Sequence, residues 1–174
     1  KSIELTNPAM ENNHGSAWAA STGTGTPGTA NSQNVDDPAP VIRSAAHLPT
    51  QPRSTDTVTI NARVTDERGV LSVQLLSRVD GTTGFTTTTM TRVGVTDAYT
   101  ATLAARASGT IMQFYIRATD TTAHVRTYPA AAPTKVLLYQ VDNDSYPMTV
   151  PHYRVIMRNA DLTELANRDP YSNV

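Results

Sequence analysis

The amino-acid sequence predicts an all-β fold in which antiparallel strands form a sandwich. Two observations lead to this prediction. Apolar and polar residues alternate with a period of two in a series of short segments, which is the pattern of strands that bury one face. Turn signals containing Gly, Pro and Asp separate these segments, and no stretch with the period of a helix lies between them. A high content of Thr, with only 17% charged residues, favours strands further.

Residues 41–141 contain about seven such strands, a number typical of an immunoglobulin-like antiparallel β-sandwich. In chain order they are PVIRSAA, TVTINARVTD, VLSVQLLSRVD, FTTTTMTRV, DAYTATL, TIMQFYIRATD and TKVLLYQV. Asp80-Gly81 after the third is a hairpin signal. Alternation places the following residues inward: Val58, Ile60, Ala62, Val64, Leu71, Val73, Leu75, Val79, Tyr99, Ala101, Leu103, Met112, Phe114, Ile116 and Ala118.

Two appendages flank this sandwich. Residues 1–32 form an extended N-terminal segment that opens with a strand-like run, KSIEL, continues through AWAAS, and has too few apolar residues for a core of its own. Residues 33–40 are a linker that its prolines keep extended. Residues 142–174 contain a further linker, a strand in VPHYRVIMRN and a helix in ADLTELANRD, a short C-terminal strand-helix appendage. Asp161 and Glu164 have the spacing of a capping box at the start of that helix.

Composition excludes several classes of function. A net charge of −1 gives no attraction to nucleic acid or to an anionic membrane, and no window is apolar enough for a membrane span. The absence of Cys removes disulfides, thiolate catalysis and Cys-ligated zinc. No Gly-x-Ser-x-Gly elbow or catalytic triad is visible, so the sequence predicts no enzyme. Because the chain starts at Lys1, we expect a processed or excised product.

The stretch GTGTPG has the glycine spacing of a dinucleotide-binding loop, at Gly23, Gly25 and Gly28. Such a loop needs a following helix whose N-terminus holds the pyrophosphate. Here TANSQNVDDPAP follows, which cannot form a useful helix, and Pro27 removes a backbone donor. The stretch is therefore predicted to be the structural turn that closes the N-terminal segment, and no cofactor is expected.

Acidic residues near strand ends are the candidate metal ligands. Calcium takes several oxygen ligands from such loops. The set predicted to converge at one pole of the sandwich is Asp66, Asp120, Asp142 and Asp144. The alternative is that these residues only form turns. The four histidines lie far apart without partners two or four residues ahead, which predicts surface or loop positions for His14, His47, His124 and His152.

Aromatic residues suggest a carbohydrate platform as a further alternative. Alternation places Tyr115 on the outward face of its strand, which makes it the best exposed candidate for stacking on a sugar. Trp18 and the other tyrosines are more simply explained as core edges or packing contacts.

Three stretches resemble consecutive modules of large secreted bacterial proteins. SIEL at 2–5, Asn7-Pro8, WAAS at 18–21 and TPG at 26–28, followed by Asn31, are similar to the C-terminal end of a lamin-tail-type domain. The V-x-D-x-x-G turn at 64–69 and the Ala-x-Asp end at 118–120 resemble the Ig-like domain that often follows it. YPMTVPHYRVIMRNADLTELANRD resembles the opening of a spore-coat kinase-like (CotH) domain, whose catalytic residues would lie further downstream.

The resemblance implies a non-catalytic structural or interaction module of a secreted or cell-surface bacterial protein. Apolar residues in both terminal segments have no local core, which suggests strand addition to copies of the same chain. They are Ile3, Leu5, Trp18, Tyr153, Val155, Ile156, Leu162 and Leu165. The alternatives are an accessory domain of a CotH-type kinase-like enzyme, and a carbohydrate- or calcium-binding module.

Overall fold

The computed structural model describes residues 1–146 and 153–169. Eleven strands lie in this part of the chain, together with a short 3₁₀ helix at Gly15–Ala17 and one α-helix, α1, at Asn159–Asn167. The strands are β1 (Ile3–Leu5), β2 (Trp18–Ala20), β3 (Val41–Leu48), β4 (Val58–Thr65), β5 (Val70–Val79), β6 (Thr86–Thr89), β7 (Thr91–Arg92), β8 (Ala98–Leu103), β9 (Ile111–Asp120), β10 (Val125–Tyr128) and β11 (Leu137–Gln140).

Two antiparallel sheets form the central sandwich. One has the strand order β3-β4-β8-β7, and the other has the order β10-β9-β5-β6, with β11 also paired to β9. This arrangement corresponds to the A-B-E-D and G-F-C-C′ sheets of an immunoglobulin-like sandwich. The last strand is interrupted, since β10 and β11 pair with successive parts of β9. The all-β, antiparallel sandwich predicted from the sequence is confirmed.

The core lies between the two sheets and contains most of the predicted inward residues. Tyr139 of β11 and Phe114 of β9 are among the largest fully buried side chains, and their rings lie 6.2 Å apart. Leu103 and Val79 are half-buried and pack against this core. The predicted residues that are fully in the core are Val58, Ile60, Ala62, Val64, Val73, Leu75, Tyr99, Ala101, Met112, Phe114, Ile116 and Ala118.

One predicted inward residue, Leu71, is 65% exposed. The prediction was wrong because β5 contains a bulge next to its start. Val70 pairs with Asp120 and Ser72 pairs with Thr119, so Leu71 is the extra residue in the ladder. A bulge of this kind interrupts the alternation of side chains between the two faces of a strand.

The Thr-rich segment FTTTTMTRV forms two strands instead of one. β6 pairs with β5 in one sheet, and β7 pairs with β8 in the other. The buried Met90 lies between them, at the point where the chain crosses from one sheet to the other. β10 was not predicted at all, because its four residues, VRTY, show no apolar alternation.

The N-terminal segment packs against the start of the sandwich. β1 and β2 form an antiparallel pair, in which Leu5 pairs with Trp18. Below this hairpin, Met10 and Ala17 form a small apolar cluster with Val41 of β3, and Leu5 packs against it. The segment thus completes its core with a residue of the sandwich.

The linker is hydrogen-bonded to both of the elements that it connects. Asn7, which is buried, donates from Nδ2 to the carbonyl oxygens of Val35 (2.9 Å) and Asp36 (3.2 Å). On the other side, Arg126 of β10 donates from Nη2 to the carbonyl oxygen of Ala39 (3.3 Å). Prolines favour an extended linker, and these bonds fix its path.

The C-terminal appendage differs from the prediction in two ways. Residues 153–158 form no strand, and the rest of the predicted strand before them, up to His152, lies outside the described residues. The helix begins two residues earlier than its predicted cap, so Asp161 lies in the first turn and makes an ion pair with the N-cap residue Arg158. The Asp161 carboxylate pairs with this arginine, and Asp161 is not the N-cap residue. The capping-box prediction was therefore wrong. In the described parts of the chain, no helix has the length and apolar content that a membrane span requires.

Candidate functional site

Acidic residues from three segments meet at one end of the sandwich, which we call the linker pole. It consists of Asp37 in the linker, Asp66 and Glu67 in the turn between β4 and β5, Asp120 at the end of β9, and His124 before β10. The topology brings them together because β4 ends and β5 begins beside the last residue of β9, with Val70 paired to Asp120. The linker passes over this end to reach β3.

Asp120 is the best-fixed residue of the linker pole, with a side chain that is 0% exposed. Its Oδ1 accepts hydrogen bonds from the backbone N–H of Thr122 (2.8 Å) and His124 (2.9 Å) and from the Thr122 hydroxyl (2.9 Å). Burial alone would raise the pKa of Asp120, but these hydrogen bonds outweigh burial and hold the pKa below its ordinary value. The carboxylate therefore stays ionised and shapes the β9–β10 turn.

His124 and Asp37 face the second oxygen of Asp120. Nδ1 of His124 lies 3.0 Å from Asp120 Oδ2 and 3.7 Å from Asp37 Oδ2. The other oxygen of Asp37 lies 3.3 Å from Nε of Arg68. One potential ligand atom from each of Asp37, Asp120 and His124 lies within 4.8 Å of the others. The linker is thus joined to the sandwich through a cluster of charged groups.

Asp66 and Glu67 bring further carboxylates to this pole. Oδ1 of Asp66 accepts from the backbone N–H groups of Arg68 (2.9 Å) and Gly69 (2.8 Å), which stabilises the turn. Its Oδ2 and both carboxylate oxygens of Glu67 are shielded from solvent and accept no hydrogen bond from the described residues. Burial, and then the charges of Asp120 and Asp37, raise the pKa of Asp66; burial, and then the charges of Asp66 and Asp37, raise the pKa of Glu67.

We expect Glu67→Gln to raise the melting temperature at neutral pH by a few degrees. A pKa raised in the folded state means that ionised Glu67 destabilises the fold above that pKa. The gain should shrink as the pH falls through the folded pKa, and vanish at pH 3, where Glu67 is protonated in both states. Thermal unfolding with a chelator present measures the change in melting temperature at pH 7 and at pH 3.

Glu11→Gln is the matched control, because Glu11 pairs with Arg43. That substitution should leave stability unchanged or lower it at pH 7. Destabilisation by Glu67→Gln at pH 7 would contradict this expectation, because it would show that ionised Glu67 stabilises the fold.

The four predicted calcium ligands lie at two different poles. Asp66 and Asp120 belong to the linker pole. Asp142 and Asp144 follow β11, whose last residue, Gln140, pairs with the first residue of β9. A ten-residue strand spans about 30 Å, so the two pairs do not form one site. The predicted convergence was wrong, and calcium binding stays a prediction for either pole separately.

Asp142 is already paired at the far pole. Its oxygens accept from the backbone N–H of Asp144 (2.8 Å) and the hydroxyl of Tyr146 (3.0 Å), and Arg154 lies 3.1 Å away. The Asp144 hydrogen bond is the main reason that the pKa of Asp142 is lowered. These contacts are those of a turn, as the alternative interpretation expected.

The prediction for Tyr115 was wrong, because this side chain is only 8% exposed. It points away from the core, as alternation predicts, but the ring of Phe85 covers it in an edge-on contact 5.0 Å away. Tyr99 and Tyr139 are also buried. The structure therefore offers no stacking surface at the best sequence candidate for carbohydrate binding.

The glycine stretch is built around a carboxylate. Oxygens of the buried Glu4 accept from the hydroxyls of Thr26 and Ser32, both at 2.7 Å, which lowers the pKa of Glu4, the Ser32 bond most strongly. Gly25 has φ +112°, and a Cβ there would lie 2.9 Å from Ser2 Oγ. A negative charge inside the loop would repel a phosphate, and the geometry agrees with a closing turn.

Sequence reasoning missed Asp37, Glu67 as an unpaired group, and His124. A hairpin turn flanked by Asp120 and His124 is visible in the sequence as DTTAH, and it could have indicated that these two side chains meet. No local signal indicates Asp37, which reaches the pole only through the path of the linker.

The fold and this pole define an antiparallel β-sandwich module with a docked N-terminal hairpin. No protein-family model matches the chain, and no curated protein is significantly similar to it.

Proposed function

We propose that the chain is a non-catalytic structural and interaction module of a secreted or cell-surface bacterial protein, and that it associates with copies of itself through its terminal segments. The observation that carries this proposal is the presence, among the described residues, of exposed apolar surfaces at the two ends of the sandwich. The resemblance to modules of large secreted proteins supports the proposed location.

The first apolar surface is the outer face of the N-terminal hairpin. Ile3 is 73% exposed and Trp18 is 40% exposed, and they line a shallow groove together with Gly15, Ala19 and Ala20. In the described residues, β1 and β2 pair only with each other; Asn31 donates from Nδ2 to the Leu5 carbonyl oxygen (2.9 Å) on the β1 side, and the β2 side is an edge without a strand partner. Open edges beside apolar side chains are favourable for strand addition.

The second apolar surface is the C-terminal segment. No residue of α1 is buried, and Leu162 and Leu165 are 54% and 52% exposed. Tyr153 and Val155 before the helix are more exposed still. A helix with an apolar stripe gains most of its stability from packing, so this segment is expected to cover its stripe with a partner.

The two surfaces lie at opposite poles. The hairpin contacts Val41, which pairs with Thr65 beside the linker pole. The first backbone N–H of α1 instead donates to Asp80 (2.7 Å), at the other end of β5. Contact between different surfaces of two copies is heterologous and continues as a filament unless the rotation closes a ring.

Firm attachment of the hairpin supports a structural role. Arg43 of β3 forms ion pairs with Glu11 of the N-terminal segment and with Asp97 near β8. Asp97 also pairs with Arg63 of β4 at 2.8 Å. Burial would raise the pKa of Asp97, but the two arginines outweigh burial and lower that pKa. This network joins the hairpin to one sheet, so a force on the hairpin reaches the sandwich directly.

The test is the concentration dependence of mass by light scattering. We expect the chain to form species larger than a monomer, and Leu162→Glu with Leu165→Glu to reduce them at least tenfold. Val95→Glu is the control, because Val95 is equally apolar and 94% exposed but lies in the β7–β8 turn. A monomer at every concentration, or equal loss in the Val95 control, would contradict association through the ends.

A further inference from the structure

Beyond the structural role, we propose that the linker pole binds one divalent transition-metal ion of the zinc type, through Asp37, Asp120 and His124, and that this ion fastens the linker to the sandwich. The ligand atoms would be Oδ2 of Asp37, Oδ2 of Asp120 and Nδ1 of His124. Two of them belong to the β9–β10 hairpin and one to the linker.

The three atoms are already close to metal-binding geometry. Nδ1 of His124 lies 3.0 Å and 3.7 Å from the two carboxylate oxygens. Metal–ligand bonds of about 2.0–2.2 Å at tetrahedral angles place neighbouring ligand atoms roughly 3.4 Å apart. The cluster spans up to 4.8 Å, so adjustments of side-chain torsions within ordinary limits would complete it.

The hairpin holds its two ligands in place. Because Oδ1 of Asp120 is used by the hydrogen bonds from Thr122 and His124, Oδ2 is turned towards the imidazole. The same bond from the His124 backbone (2.9 Å) fixes the main chain that carries the imidazole. Partners that orient a ligand in this way commonly accompany metal sites.

A second, independent observation is the set of carboxylate oxygens without donors. Oδ1 of Asp37 and Oδ2 of Asp66 are shielded from solvent and accept no hydrogen bond from the described residues, although Arg68 lies near Asp37. Both oxygens of Glu67 are in the same condition. These oxygens are not among the three proposed ligand atoms, but Asp66 and Glu67 add negative charge next to them, which a cation bound at the cluster would offset.

The donor set favours a transition metal over calcium. Calcium takes six to eight oxygen ligands, whereas imidazole suits zinc and its neighbours. One imidazole with two carboxylates gives three protein ligands, which leaves a position for water. Such an ion would bridge the linker and the β9–β10 hairpin, in addition to the polar contacts that Asp37 makes with His124 and that Ala39 makes with Arg126.

The test is calorimetric titration of the full chain with Zn²⁺ after treatment with a chelator. We expect one site per chain, with affinity at least tenfold weaker in His124→Asn and in Asp37→Asn. Both residues are partly exposed, so these variants should fold. His47→Asn and Asp142→Asn are the controls, and they should bind Zn²⁺ as the unchanged chain does.

Hydrogen exchange of residues 33–40 provides a second readout. Zn²⁺ should slow exchange there in the unchanged chain and leave it unaltered in His124→Asn. Absence of saturable heat, equal affinity in His124→Asn, or tighter binding of Ca²⁺ than of Zn²⁺ would each overturn the proposal.

Discussion

Leu75→Ala is expected to lower the free energy of unfolding by about 3–5 kcal/mol, whereas Leu71→Ala is expected to change it by less than about 0.5 kcal/mol. Both leucines lie in β5, four positions apart, and alternation assigns them to the same face. Leu75 is 0% exposed and packs in the core, while Leu71 is 65% exposed at the bulge. Removal of the Leu75 side chain loses its burial and leaves a cavity between the sheets.

Urea unfolding of both variants under the same conditions measures the difference. Because the substitutions are chemically identical, differences in strand propensity cancel to first order. Equal destabilisation by the two variants would mean that the β5 register continues without a bulge and that Leu71 is buried.

This pair also shows what the sequence could and could not predict. Alternation identified the inward faces of β4, β8 and β9, because in a regular strand one buried residue determines which face every other side chain occupies. The bulge at Leu71 depends on how β5 pairs with the end of β9, a strand about forty residues later in the chain. The contact by which Phe85 covers Tyr115 could not be predicted for the same reason, since it joins a loop and a strand that are distant in the sequence.

The candidate site was predictable to a similar extent. Acidic residues at strand ends indicated Asp66 and Asp120, which lie at one end of the sandwich because β4 ends, β5 begins and β9 ends there. Sequence could not indicate which pole each turn occupies, and Asp142 with Asp144 were therefore assigned to the wrong one. Asp37 joins the site because Asn7 and Arg126 fix the linker, and those contacts connect distant parts of the chain.

The terminal segments show a different limit. The alternation in HYRVIMRN is that of a strand, but a strand needs a partner edge, and residues 153–158 form none. Local pattern gives the tendency of a segment, and the neighbouring sheet decides the outcome. Because residues 153–158 have no strand partner within the described chain, pairing with another copy would provide one.

The second large effect is expected at Asp120. Asp120→Ala should lower the free energy of unfolding by about 3 kcal/mol, because it removes the buried, charged acceptor of the backbone N–H groups of Thr122 and His124. Asp120→Asn is the matched control, since its amide oxygen can still accept from both groups. We expect that variant to lose only about 1 kcal/mol, the part due to the charge.

The pH dependence separates these contributions. The folded-state pKa of Asp120 is lowered, so its charge stabilises the fold above the unfolded pKa of about 3.9, and this contribution is lost as the pH falls through the folded value. The difference in free energy of unfolding between the unchanged chain and Asp120→Asn should therefore be constant above about pH 5 and disappear in stronger acid.

The difference in free energy of unfolding between Asp120→Asn and Asp120→Ala should persist at every pH, because it comes from the hydrogen-bond acceptor. Urea unfolding of the three chelator-treated proteins, from pH 7 down to pH 2.5, measures both differences in free energy. A difference between the unchanged chain and Asp120→Asn that stays constant down to pH 2.5 would show that the charge of Asp120 does not stabilise the turn, and the metal site would then lack the anionic ligand on which it depends.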